Sequence, residues 1–119
     1  MILKDDFYQI IERNKDDFFI KLNKNHFIYS AHFPQNPMTP GVIILQIITE
    51  LFQIILNSKL LLNKIKNLKF IAVINPQVDE LVWFKFSKIE QNQNMYGISV
   101  EVTNSQQQFV KMTAEFIEP

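Results

Sequence analysis

The stretch Val42–Leu56 is apolar around most of its circumference. A helix of that kind does not lie on a surface; other elements must enclose it. Its polar residues, Gln46, Thr49, Glu50 and Gln53, recur at spacings of three and four and form one narrow stripe. The segment is too short and too interrupted for a membrane span, which needs about 20 apolar residues. Thr39 can cap the helix start and Pro40 suits the first helical position. Asn57, Ser58 and Asn63 mark its end.

The rest of the chain must supply the enclosure. Four strands are predicted after the helix, over 65–74, 81–89, 96–102 and 109–117. Within 81–89 the residues alternate, with Val82, Phe84 and Phe86 on one face and Leu81, Trp83 and Lys85 on the other. Turn residues separate the last three, so they read as consecutive antiparallel hairpins. Ahead of the helix, Leu3, Phe7, Ile10 and Ile11 fall at helical spacing and predict a short amphipathic helix over 3–13. Residues 17–22 read as a strand and 26–29 as a short extended piece. The expected fold class is α+β: one domain, residues 1–119, with a curved antiparallel sheet wrapped around a long central helix. One sheet of this size covers only part of such a helix, so a second copy is expected to complete the burial.

Composition narrows the function classes. Twelve basic and twelve acidic residues cancel, and no basic run is present, so nucleic acid is not the expected partner. The chain has no cysteine, which excludes disulfides, thiolate metal sites and cysteine nucleophiles. The N-terminus lacks the apolar core of a signal peptide, and a cytoplasmic protein is the expectation. High aromatic content, with eleven Phe, supports a sizeable core.

The chemistry concentrates just before the helix. His32-Phe33-Pro34-Gln35-Asn36-Pro37-Met38-Thr39-Pro40-Gly41-Val42 holds three prolines and one of the two glycines. Prolines stiffen the loop. A histidine presented by a stiff loop at the mouth of a buried helix suits proton transfer. His26, by contrast, is read as structural, and Tyr29 as packing for the loop.

This loop and the element order resemble the hotdog-fold β-hydroxyacyl-acyl-carrier-protein dehydratases of the FabZ/FabA type. Their pattern is H-F-P-x-x-P-x-x-P-G-V-x-x-x-E, and seven of its eight fixed positions match here in register, from His32 to Val42. The resemblance implies an enzyme that removes water from a 3-hydroxyacyl thioester to give a trans-2-enoyl product, in fatty-acid or polyene-type synthesis. It implies His32 as the base and Gly41 as a backbone N–H donor to the thioester carbonyl, with Val42 and Phe33 beside the substrate. It implies a homodimer, or a trimer of dimers, with His32 of one chain facing Gln46 and Glu50 of the other. The thioester would come on acyl carrier protein or CoA, and no metal or organic cofactor is needed. A basic rim from Lys21, Lys24, Lys59, Lys64, Lys66 and Lys69 would suit an acidic carrier.

The eighth position departs from the pattern: Gln46 stands where the family has an acid. An amide does not deliver a proton; it only holds a hydroxyl or water. His32 could return the proton it has taken, or Glu50, one turn further on, could serve as the acid. Two other readings follow. One is a catalytically impaired subunit that binds acyl chains or pairs with an active dehydratase. The other is an acyl-CoA thioesterase, which the His-Phe-Pro sequence argues against.

Overall fold

The computed structural model describes residues 1–31 and 34–119; His32 and Phe33 lie outside the described residues. Helix α2 (Gly41–Leu56) carries many β-branched residues, which favour helix poorly by themselves. Its stability therefore comes from burial. Ile43, Ile44, Ile47, Ile48, Leu51 and Phe52 all sit in the core. The helix stops at Asn57, which takes the left-handed conformation (φ 50°) and donates its N–H back to Ile54 O.

Among the described residues, six antiparallel strands wrap this helix. They are β1 (Tyr8–Asn14), β2 (Asp17–Leu22), β3 (Leu61–Phe70), β4 (Leu81–Asn92), β5 (Met95–Thr103) and β6 (Gln108–Ile117), in the order β1-β2-β4-β5-β6-β3. The predicted hairpins β4, β5 and β6 are adjacent in the sheet. Val82, Phe84 and Phe86 point inward to the helix, as their alternation predicts. Phe52 of the helix meets Phe86, Tyr96 and Phe116 with ring centroids 6.0, 6.2 and 5.2 Å away. Register shifts in β1, β3 and β4 bend the sheet around its cargo. Among the described residues, no helix is long and apolar enough to cross a membrane.

The N-terminal helix expected over 3–13 is not formed. Asp5 adopts a left-handed conformation (φ 67°), and the Phe7 N–H bonds to Leu3 O at 2.7 Å in a single turn. That turn alone accounts for the four-residue spacing of Leu3 and Phe7, and both are buried by it. The chain then continues as β1, an edge strand that buries little beyond Tyr8, so its alternation is faint in the sequence. Residues 26–29 are likewise not extended. A short helix, α1 (Phe27–Ala31), follows His26, whose Nδ1 accepts the Ile28 N–H at 3.1 Å. The strand expected over 65–74 lies instead at 61–70. Past Phe70 the chain leaves the ladder, because the Ile71 and Ala72 N–H groups both turn to Phe109 O.

Candidate active site

Three loop prolines bring the chain to the start of α2, and Pro37 is buried. Thr39 does not cap the helix. Its hydroxyl bonds to the Tyr29 hydroxyl at 2.9 Å, and its N–H bonds to Ile74 O. Pro40, in an extended conformation, becomes the residue before the helix, and its carbonyl accepts the Ile43 and Ile44 N–H groups. Tyr29 is locked inside this junction, and burial raises its pKa to about 12. Through Thr39 the loop is thereby tied both to α1 and to the segment that follows β3.

Gly41 begins the helix. Among the described residues no side chain or loop carbonyl engages its N–H, which lies at the positive end of the helix dipole. A Cβ at Gly41 would stand 2.8 Å from the tip of the Phe70 ring, so glycine permits that contact. Phe70 and Gly41 share an apolar cavity of about 270 Å³ with Met38, Ile44, Ala72 and Ile74. Val42 points away from this cavity, into a groove of about 500 Å³ on the other flank of the helix. Gln46, Thr49, Glu50 and Gln53 line that groove with Met1 and Ile2. Within one chain, therefore, Gly41 and Gln46 open into separate spaces.

Glu50 is buried, and four donors converge on its carboxylate. Oε2 accepts the Leu3 N–H at 2.7 Å and Gln46 Nε2 at 2.9 Å. Oε1 accepts the Lys4 N–H at 2.9 Å and the Tyr8 hydroxyl at 3.0 Å. Burial first, and the Glu50 charge second, push the Tyr8 phenol well above its usual range. Gln46 Nε2 also donates to the Met1 carbonyl at 2.8 Å. Gln46 and Glu50 of the polar stripe thus anchor the N-terminal segment, while Gln53 Oε1 accepts the Leu60 N–H and the Thr49 hydroxyl bonds back to Leu45 O. Tyr8 and the Met1 carbonyl escaped sequence reasoning, because 42 and 45 residues separate them from their partners.

His26 is buried between Phe7 and Phe27, with ring centroids 5.1 and 4.7 Å away. Because Nδ1 accepts a backbone N–H, Nε2 carries the hydrogen and donates to Asp6 at 3.0 Å. It fixes α1, whose last residue, Ala31, immediately precedes His32. The positions of the expected base His32 and of Phe33 fall outside the described residues. Phe70, Ala72 and Ile74 join the site from the sheet side, and nothing in their spacing marks them as site residues.

Known proteins agree with this architecture. The family described as ApeI-like, ApeI dehydratase, matches residues 9–113. A hypothetical thioesterase from Streptococcus pneumoniae TIGR4, solved with coenzyme A, superposes with a TM-score of 0.65 at 14% identity, covering 94% of this chain and 85% of that one. An HP0420-homologue from Helicobacter felis gives a TM-score of 0.68 at 14% identity, covering 94% and 88%. At this identity the two structures establish the fold. No curated protein matches the chain by sequence.

Proposed function

The chain belongs to the ApeI-like dehydratase family, and from that premise we propose that it acts on 3-hydroxyacyl groups carried as phosphopantetheine thioesters, removing water to give the trans-2-enoyl product. The observation that carries this reading is the start of α2. A Gly41 N–H that no described residue engages adjoins an apolar cavity at the helix N-terminus, and His32 lies nine residues before it in the chain. A thioester carbonyl set on that N–H gains a donor for the negative charge that develops on its oxygen.

His32 takes the α-proton from C2, the electron pair forms the C2–C3 double bond, and the C3–O bond breaks. His32 then returns the same proton to the departing oxygen, which leaves as water. Gln46 orients that oxygen without supplying a proton. Glu50 is assigned a positioning role instead of an acidic one, since its oxygens are occupied by four donors.

Two features support a homodimer. Gly41 and Gln46 line separate spaces in one chain, as a site shared between two chains requires. Edge strand β3 is ten residues long and leaves Leu61, Ile65 and Phe70 exposed, an edge suited to pairing with a second copy. Lys59, Lys64 and Lys69 are exposed at or beside it, where an acidic carrier could dock.

The test is a mass measurement of the acyl group on carrier protein and on pantetheine, with wild type and His32→Ala. Loss of one water in wild type alone supports the reading. Release of a free thiol without an enoyl product would replace it with thioester hydrolysis, the second reading, which a groove-facing amide able to align a water also fits. No change in either substrate would leave a non-catalytic acyl-binding subunit.

A further inference from the structure

We propose that Gln46 is a hydroxyl-recognising acceptor, and that Glu50 and the Met1 carbonyl make it one. A glutamine amide carries two hydrogens on nitrogen and lone pairs on oxygen. Here the nitrogen lies 2.8 Å from the Met1 carbonyl and 2.9 Å from Glu50 Oε2. A carbonyl only accepts. Glu50 already accepts two backbone N–H groups and the Tyr8 hydroxyl, so it too acts as an acceptor. Both neighbours therefore demand the amide nitrogen, and the flipped amide would set oxygen against oxygen twice.

Both Nε2 hydrogens are consumed, and no described residue donates to Oε1. Gln46 thus presents to the groove an oxygen that accepts and does not donate. Its natural complement is a group with a hydrogen to give, namely the 3-hydroxyl of the proposed substrate. This inference rests on the thioester reading for the identity of that hydroxyl, but the amide's orientation stands without it. It also explains why an acid is absent at this position. A carboxylate at 46 would face the Glu50 carboxylate one helical turn away and lose both of its present partners.

Two measurements test this on the full-length protein. The first is side-chain ¹⁵N–¹H spectroscopy with hydrogen exchange. The Gln46 amide pair should exchange slowly in wild type and lose protection in Glu50→Gln. Exchange as fast as an exposed glutamine in wild type would overturn the orientation.

The second compares two inert ligands, the amide analogues of 3-hydroxybutyryl-pantetheine and butyryl-pantetheine. One added hydrogen bond predicts that wild type prefers the hydroxylated ligand by about two- to tenfold. The ratio should fall to about one in Gln46→Met. A retained preference in that variant would overturn hydroxyl recognition, whereas binding of neither ligand by wild type, with the amide pair still protected, would overturn the thioester reading instead.

Discussion

Gly41 and Phe70 are in such close contact that a single added methyl on the glycine would reach within 2.8 Å of the phenyl ring. The helix start and the end of β3 are thereby fitted to each other at the mouth of the apolar cavity.

Gly41→Ala is expected to displace the Phe70 ring and to cost about 1–3 kcal/mol, the usual range for overpacking. The ring is half exposed and can move, which places the expectation toward the lower end. In a Phe70→Ala background the same substitution should be nearly neutral. A double-mutant cycle by urea denaturation measures the coupling, and additive effects would show that the two residues do not oppose each other.

Phe52 is fully buried and packs against three aromatic rings from β4, β5 and β6. Phe52→Ala should cost about 3–5 kcal/mol, because it opens a cavity between helix and sheet. Thermal or urea unfolding reads this directly. A loss under 1 kcal/mol would mean the sheet does not grip the helix there.

Tyr8 and Tyr29 predict the alkaline limit of stability. Burial raises both phenols, Tyr29 to about 12 from an ordinary value of 10.0. The folded state thus holds its protons to higher pH than the unfolded chain does. The Tyr29 contribution is fully present below about pH 10 and is lost as pH rises from 10 through 12, whereas Tyr8, raised further, holds its proton beyond that range. Urea midpoints should fall steadily above pH 10. Tyr29→Phe should flatten that fall, and an unchanged slope would remove Tyr29 from the account.

Pairing of two copies along β3 predicts that Ile65→Lys, which leaves each chain's own core untouched, yields monomers. Light scattering at micromolar concentration checks this. A dimer that survives the change would place the interface elsewhere.

The elements that bury a continuous face were legible in the sequence. Helix α2 announced itself because a segment apolar nearly all round has no alternative to enclosure, and β4 because Val82, Phe84 and Phe86 alternate strictly inward. The N-terminal segment was not legible. Leu3 and Phe7 share the spacing of a helix, but one tight turn produces it, and edge strand β1 buries too little to show a period of two.

The site divides along the same line. His32, Gly41, Val42 and Gln46 stand out because they and the prolines among them fall at a fixed and unusual spacing, and spacing along a chain is something a sequence records. What Glu50 does was decided only by the fold. Its carboxylate is held by Leu3, Lys4 and Tyr8, more than forty residues away, and partners that distant meet only when the sheet closes over the helix. The pattern of residues along the chain already dictates that α2 must be buried and which loop opens onto it. Tertiary structure decided which way the Gln46 amide faces, because hydrogen bonding depends on where atoms lie in space and leaves no periodic mark in the chain.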